Sequence, residues 1–190
     1  MKTGLFFGSF NPVHNGHLMI ANYMLEFTDL DLIRFIVSPQ NPFKKKKNLL
    51  EDYHRLEMLI KAVDNMQHYQ VSDIEFRMPK PSFTIDTLIY LQERYPNEKF
   101  ALIMGSDNLK NLHKWKNSAL LLKDFEIKVY SRPNEYTEKY VNHPNISFYN
   151  APLMEISSSF IRKAIKQNKK VNFYMPNKAY KYMREMHFYE

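Results

Sequence analysis

His14 and His17 bracket Gly16 in the stretch Gly8-Ser9-Phe10-Asn11-Pro12-Val13-His14-Asn15-Gly16-His17, where an apolar run breaks into a turn and a helical pattern begins. Two imidazoles at such a junction can donate to one anion, beside the N–H groups that a helix start leaves unpaired. Gly16 omits a side chain where phosphates would approach the backbone. Attack on a phosphorus builds negative charge on its equatorial oxygens, and donors fixed toward those oxygens stabilise the transition state. One histidine here would read as a half-exposed turn residue. Two around a glycine favour the chemistry.

A second group lies far along the chain, in Ile156-Ser157-Ser158-Ser159-Phe160-Ile161-Arg162. Serines ahead of Phe160, Ile161, Ala164 and Ile165 predict an N-cap and the first turn of an amphipathic helix. Taken alone, that is a capped helix and nothing more. A third candidate is Lys44 or Lys45, in Val37-Ser38-Pro39-Gln40-Asn41-Pro42-Phe43-Lys44-Lys45. A flexible ammonium there meets phosphate oxygens as a point charge.

These groups need a frame, and the hydrophobic pattern supplies one. Short apolar runs at Thr3–Phe7, Leu32–Val37, Gln70–Ile74, Ala101–Met104, Glu126–Tyr130 and Ile146–Tyr149 predict six strands. Helical faces fall between and after them. Leu18, Ala21 and Leu25 form one; Leu56, Leu59, Ile60 and Val63 another; Leu88, Leu91 and Tyr95 a third. Two more helices close the chain, one after Ser157 and one carrying Ala179, Tyr182, Met183 and Met186.

Alternating strand and helix predicts an α/β fold, a Rossmann-like doubly wound parallel sheet with helices on both faces. A single domain over 1–190 is expected, its helical C-terminal part beginning near 157. Ligands of such sheets sit at the carboxyl ends of the strands, where strand order reverses. The motifs above fall at those ends.

Composition narrows the partners. The chain has no cysteine, which excludes a disulfide framework or thiolate chemistry and suits a reducing cytoplasm. No apolar stretch approaches the roughly 20 residues that span a bilayer, so a soluble, cytoplasmic protein without membrane attachment is expected. The formal charge of +7 asks for an anionic partner. A basic nucleic-acid-binding module would explain that charge, but the aromatics fall within strand and helix patterns and no RNA-binding motif is visible. No His and carboxylate cluster has metal-ligand spacing.

The first stretch resembles the signature of the adenylyl- and cytidylyltransferase superfamily, Gly-x-Phe-Asp-Pro-x-His/Thr-x-Gly-His. The second resembles its Ile-Ser-Ser-Thr/Ser-x-Ile/Val-Arg signature, and the lysine segment its Pro-Pro-His-Lys/Arg. The resemblance implies that His14 and His17 bind a triphosphate and stabilise the transition state. It implies further phosphate contacts from Gly8, Ser9, Phe10, Gly16, Ser158, Ser159, Arg162, and Lys44 or Lys45. Phe7 and Asn11 depart from the pattern, where many members carry glycine and aspartate.

Three segments resemble the nicotinate-nucleotide adenylyltransferases within that superfamily. They are Pro81-Ser82-Phe83-Thr84-Ile85-Asp86-Thr87-Leu88, then Ile103-Met104-Gly105-Ser106-Asp107-Asn108-Leu109 with Trp115 downstream, and Val171-Asn172-Phe173-Tyr174-Met175-Pro176 near the C-terminus. The implied reaction transfers AMP from ATP to nicotinate mononucleotide and releases pyrophosphate. Nicotinamide mononucleotide and phosphopantetheine are the alternative acceptors. Ser82, Phe83, Thr84 and Trp115 are expected at the mononucleotide, the tryptophan stacking on its pyridine ring. Gly105, Asp107 and Arg132 are expected near ATP. Thr84 alternatively caps the helix through Leu88. Mg²⁺ is expected to arrive on ATP, since that ion binds substrate phosphates and keeps several waters.

Overall fold

The computed structural model describes residues 1–39, 49–132 and 138–190. Lys44 and Lys45 lie outside the described residues. Six strands pair in parallel: β1 (Lys2–Gly8), β2 (Leu32–Val37), β3 (Tyr69–Ser72), β4 (Lys99–Gly105), β5 (Glu126–Tyr130) and β6 (Ile146–Tyr149). Their order is β3-β2-β1-β4-β5-β6. The order reverses between β1 and β4, so a crevice opens beyond Gly8 and Gly105, the last residues of those strands.

The helices are α1 (Asn15–Glu26), α2 (Asp52–Ala62), α3 (Thr84–Arg94), α4 (Ser106–Lys110), α5 (Ser118–Asp124), α6 (Ser158–Lys166) and α7 (Asn177–Glu185). Successive strand residues point to opposite faces, which splits the core in two. Phe6 and Phe35 pack with Met24 of α1, Met58 of α2 and Ile161 of α6. Leu5 and Ile36 pack with Ile85 and Leu88 of α3 and Leu121 of α5. Every residue of β2 is buried, as a strand covered on both faces requires. The expected doubly wound α/β sheet is the observed fold.

Local differences have local causes. The third strand stops at Ser72, whose hydroxyl accepts from the Ile74 N–H at 3.3 Å, and Ile74 enters a 3₁₀ turn. On α2 the buried stripe is rotated from the expected one: Ile60 is exposed while Arg55 and Met58 are buried with Leu59. Met24 joins Ala21 as the buried face of α1. On α7 Ala179 and Met183 are buried, whereas Met186 lies past the helix end and exposed. Helix α3 ends at Arg94, leaving Tyr95 outside it. The short helices α4 and α5 were not expected from periodicity; five and seven residues are too few to reveal it.

Candidate active site

The loop after β1 is built around Phe10. Its backbone takes φ of 44°, and its buried ring lies 5.0 Å from the His17 ring and 5.7 Å from Phe35. A Cβ at position 8 would stand 2.8 Å from that ring, so Gly8 is required by Phe10 itself. The Phe10 side chain therefore belongs to the core, which leaves only its backbone near a ligand.

His14 precedes α1 in extended conformation, and its N–H donates to His17 Nδ1 at 3.2 Å. That bond fixes the His17 tautomer: with Nδ1 accepting, the neutral ring carries its proton on Nε2. The two imidazoles stack with centroids 3.6 Å apart. A Cβ at position 16 would come within 3.0 Å of His14 Nδ1, so Gly16 makes room for an imidazole as well as for any phosphate.

His14 is buried and its Nδ1 has no hydrogen-bond partner. Burial, helped by the nearby Arg132 charge, pulls its pKa from 6.5 to about 4. At neutral pH the ring is uncharged. The unfolded chain takes up this proton near pH 6.5 and the folded one only near 4. This contribution to stability is whole above the higher value and lost as pH falls through the window, by about 3 kcal/mol in total. Unfolding free energies of the parent and His14→Gln between those pH values should diverge by that amount. Parallel curves would contradict the buried, neutral imidazole.

Helix α6 docks on this loop. Ser157, its N-cap, accepts from the Phe160 N–H at 3.1 Å. Ser158 Oγ donates to the Pro12 carbonyl at 2.9 Å, and Arg162 donates to the Asn11 carbonyl at 2.6 Å and to Ser159 Oγ at 3.2 Å. Two motifs separated by about 150 residues thus share one edge of the sheet. The Ser158 proton is committed to that junction, leaving the α6 backbone N–H groups and the exposed Ser159 to face an anion.

Asn11 has structural work of its own. Its Oδ1 accepts from Tyr189 Oη at 2.7 Å and from the Leu50 N–H at 3.2 Å. An amide oxygen serves both donors without bringing a charge into a buried position.

Arg55 was not singled out in the sequence. Its side chain is wholly buried, and its guanidinium donates to the carbonyls of Leu50 (2.9 Å), Ser9 (2.5 Å), Ser38 (2.9 Å) and Pro39 (3.3 Å), and to Asp52 (2.5 Å). The loops after β1 and β2 and the entry to α2 are tied through this one group. The signal was present: Arg55 stands four residues before Leu59, on the buried side of α2, and a charge there needs partners.

The opposite wall comes from β4 and β5. Arg132 Nε lies 3.4 Å from Asp107 Oδ1, its N–H donates to Ser106 Oγ at 2.9 Å, and its guanidinium reaches Tyr130 Oη at 3.2 Å. Gly105, Asp107 and Arg132 are thus contiguous. Arg132 is near enough to His14 to depress its pKa.

A cavity runs from Gly8 and Ser9 to Phe83, Thr84, Trp115 and Lys116. Glu75 forms a buried part of its lining, accepting from Ser82 Oγ at 3.1 Å and Thr87 Oγ1 at 2.8 Å. Burial holds the Glu75 carboxyl above its ordinary pKa, against the pull of those hydroxyls and of the Ser38 hydroxyl. Ser82 lines the cavity as expected, but its proton is spent on Glu75. Phe83, not Thr84, is the cap residue of α3; Thr84 is the first residue of the helix.

The structure brings His14, His17, Gly8, Ser9, Gly16, Ser158, Ser159 and Arg162 to the carboxyl edge beside β1. Ser82, Phe83, Thr84 and Trp115 line the cavity that opens from that edge. Besides Arg55, sequence reasoning missed Glu75, Lys116 and Tyr189. Glu75, between Ile74 and Phe76, and Lys116, after Trp115, had no local pattern to mark them. Among the described residues no group of three His, Cys, Asp or Glu could hold a metal ion, and no helix is long and apolar enough to cross a membrane.

Residues 5–164 match the model of the cytidylyltransferase-like family. The chain is 48% identical over 191 residues to a Christiangramia forsetii protein named "Probable nicotinate-nucleotide adenylyltransferase", covering 100% of this chain and 98% of the relative. A Flavobacterium johnsoniae protein of the same name is 48% identical over 192 residues, with 100% of both chains covered. Among solved structures, nicotinic acid mononucleotide adenylyltransferase from Plasmodium falciparum, complexed with NaAD, superposes with a TM-score of 0.82. The alignment covers 99% of this chain and 97% of that one at 20% identity.

Proposed function

This chain belongs to the cytidylyltransferase-like family, and from that membership we propose that it transfers AMP from ATP to the phosphate of nicotinate mononucleotide, giving deamido-NAD and pyrophosphate. The observation that carries the reading is the junction of Ser158 and Arg162 with the Pro12 and Asn11 carbonyls, beside a cavity lined by Thr84 and Trp115. One edge of the sheet thereby offers a place for a triphosphate next to a place for an aromatic ring.

A phosphate oxygen of the mononucleotide attacks the α-phosphorus of ATP in line. The new O–P bond forms as the bond to the β-phosphate bridging oxygen breaks, and the electron pair leaves with pyrophosphate. The attacking phosphate is already anionic, so no general base is needed. His17 donates from Nε2 to an equatorial oxygen, and His14, neutral and buried, fixes the His17 ring by its N–H and by stacking. The N-terminus of α6, Ser159 and Arg162 receive the β- and γ-phosphates, which carry the leaving charge. Gly105, Asp107 and Arg132 border the nucleotide on the β4–β5 side. Lys44 and Lys45 remain candidates for a further phosphate contact on sequence grounds. Mg²⁺ carried by ATP would offset the charge of its phosphates.

Pyrophosphate release with ATP against nicotinate mononucleotide, nicotinamide mononucleotide and phosphopantetheine tests the reading. Fastest turnover with nicotinate mononucleotide is the expected result; turnover only with phosphopantetheine would refute it. Stacking on Trp115 makes a narrower claim. An aromatic pair adds about 0.5–1.5 kcal/mol beyond buried area, so Trp115→Ala should raise the mononucleotide KM by about 2- to 12-fold. The KM for ATP should move less. Equal changes for both substrates would count against a stacked ring.

A further inference from the structure

We propose that Lys116 makes the cavity beside Trp115 selective for a ring bearing a carboxylate over the same ring bearing a carboxamide. The inference rests on the acceptor reading above and names what in this chain enforces it.

Lys116 is the only cationic side chain among the described residues that line the cavity. It is not a wandering surface lysine. Its Nζ lies 2.8 and 3.0 Å from the two carboxylate oxygens of Asp86 and 5.0 Å from the centre of the Phe83 ring. Asp86 is the third residue of α3 and Phe83 its cap, so the ammonium is anchored over the start of that helix. Thr84 and Ile85 carry N–H groups of the kind that a helix start leaves without intrahelical partners. Fixed donors and a positive charge therefore meet at one rim of the cavity.

The cavity has an opposite pole in Glu75. Its carboxyl is buried and takes the hydroxyl protons of three neighbours, Ser82, Thr87 and Ser38, as an acceptor would. A ring carboxylate turned toward Glu75 would bring two acceptors together with no hydroxyl proton left to share. Turned toward Lys116 and the α3 terminus, it meets donors and a cation. A carboxamide has no net charge and gains no comparable advantage from either pole. The Lys116–Asp86 pair is half exposed, where ion pairs are weak, so the ammonium can be shared with an incoming carboxylate at little loss.

The test is kcat/KM for nicotinate mononucleotide and for nicotinamide mononucleotide, each at saturating ATP, in the parent, Lys116→Met and Lys116→Arg. A charge-assisted contact predicts that Lys116→Met lowers the acid-to-amide ratio by about 10-fold or more, through loss on the acid. Lys116→Arg, which keeps the charge, should retain most of the preference. An active parent and an equally active Lys116→Met with the same ratio would overturn the inference and leave the acceptor reading standing. A parent that adenylylates neither mononucleotide would overturn both.

Discussion

Replacing His17 with alanine is expected to lower kcat by about 100- to 1000-fold, the cost of losing one preorganised donor to transition-state charge. The geometry says why the loss should fall on the chemical step. The His14 N–H holds His17 Nδ1, so the Nε2 proton is committed to a fixed direction before substrate arrives. In the ground state the α-phosphate oxygens carry less charge, and the same donor is worth less to them. The KM for ATP should therefore change far less than kcat. Alanine also removes the acceptor for the His14 N–H and the ring packed at 5.0 Å from Phe10, a loss of about 1–2 kcal/mol of stability that leaves the chain folded. A His17→Ala protein with intact thermal unfolding and undiminished kcat would remove the imidazole from the mechanism.

The second large effect belongs to Arg55. Arg55→Met should cut the unfolding free energy by about 3–5 kcal/mol, because it strips the donor from four loop carbonyls and leaves Asp52 without its buried partner. Methionine fills much of the volume, so the deficit is mainly one of unmet polar groups. The loops that carry Ser9 and Ser38 should loosen together, and activity should fall at temperatures where the protein is still folded. Denaturant unfolding measures the first effect and assays below the transition measure the second. A loss under about 1 kcal/mol would mean that other donors can reach those carbonyls.

Much of this protein was readable before any coordinates. Strand positions followed from runs such as Leu32–Val37, because burial on both faces of a parallel sheet leaves few polar residues to blur the pattern. The motifs proposed to hold phosphate stood out because glycine, paired histidines and serine-led helix starts each have a local mechanism. What remained hidden was long-range. Nothing near Glu75 foretells that Ser82 and Thr87 will turn their hydroxyls onto it. Arg55 looked like one more charge on an amphipathic helix until the stripe proved rotated toward Met58. The reason for Asn11 at an aspartate position lay with Tyr189, 178 residues away.

That last contact bears on the order in which the molecule comes together. Each half of the sheet pairs strands that are neighbours in sequence and the halves join between β1 and β4, but the proposed catalytic edge depends on bonds that join Pro12 to Ser158, Asn15 to Phe173 and Asn11 to Tyr189, spans of 146, 158 and 178 residues. Contacts so distant along the chain form late, after the loop-closure entropy has been met by the core. A growing polypeptide still on the ribosome can thus own a paired sheet and remain chemically silent until synthesis has passed residue 189.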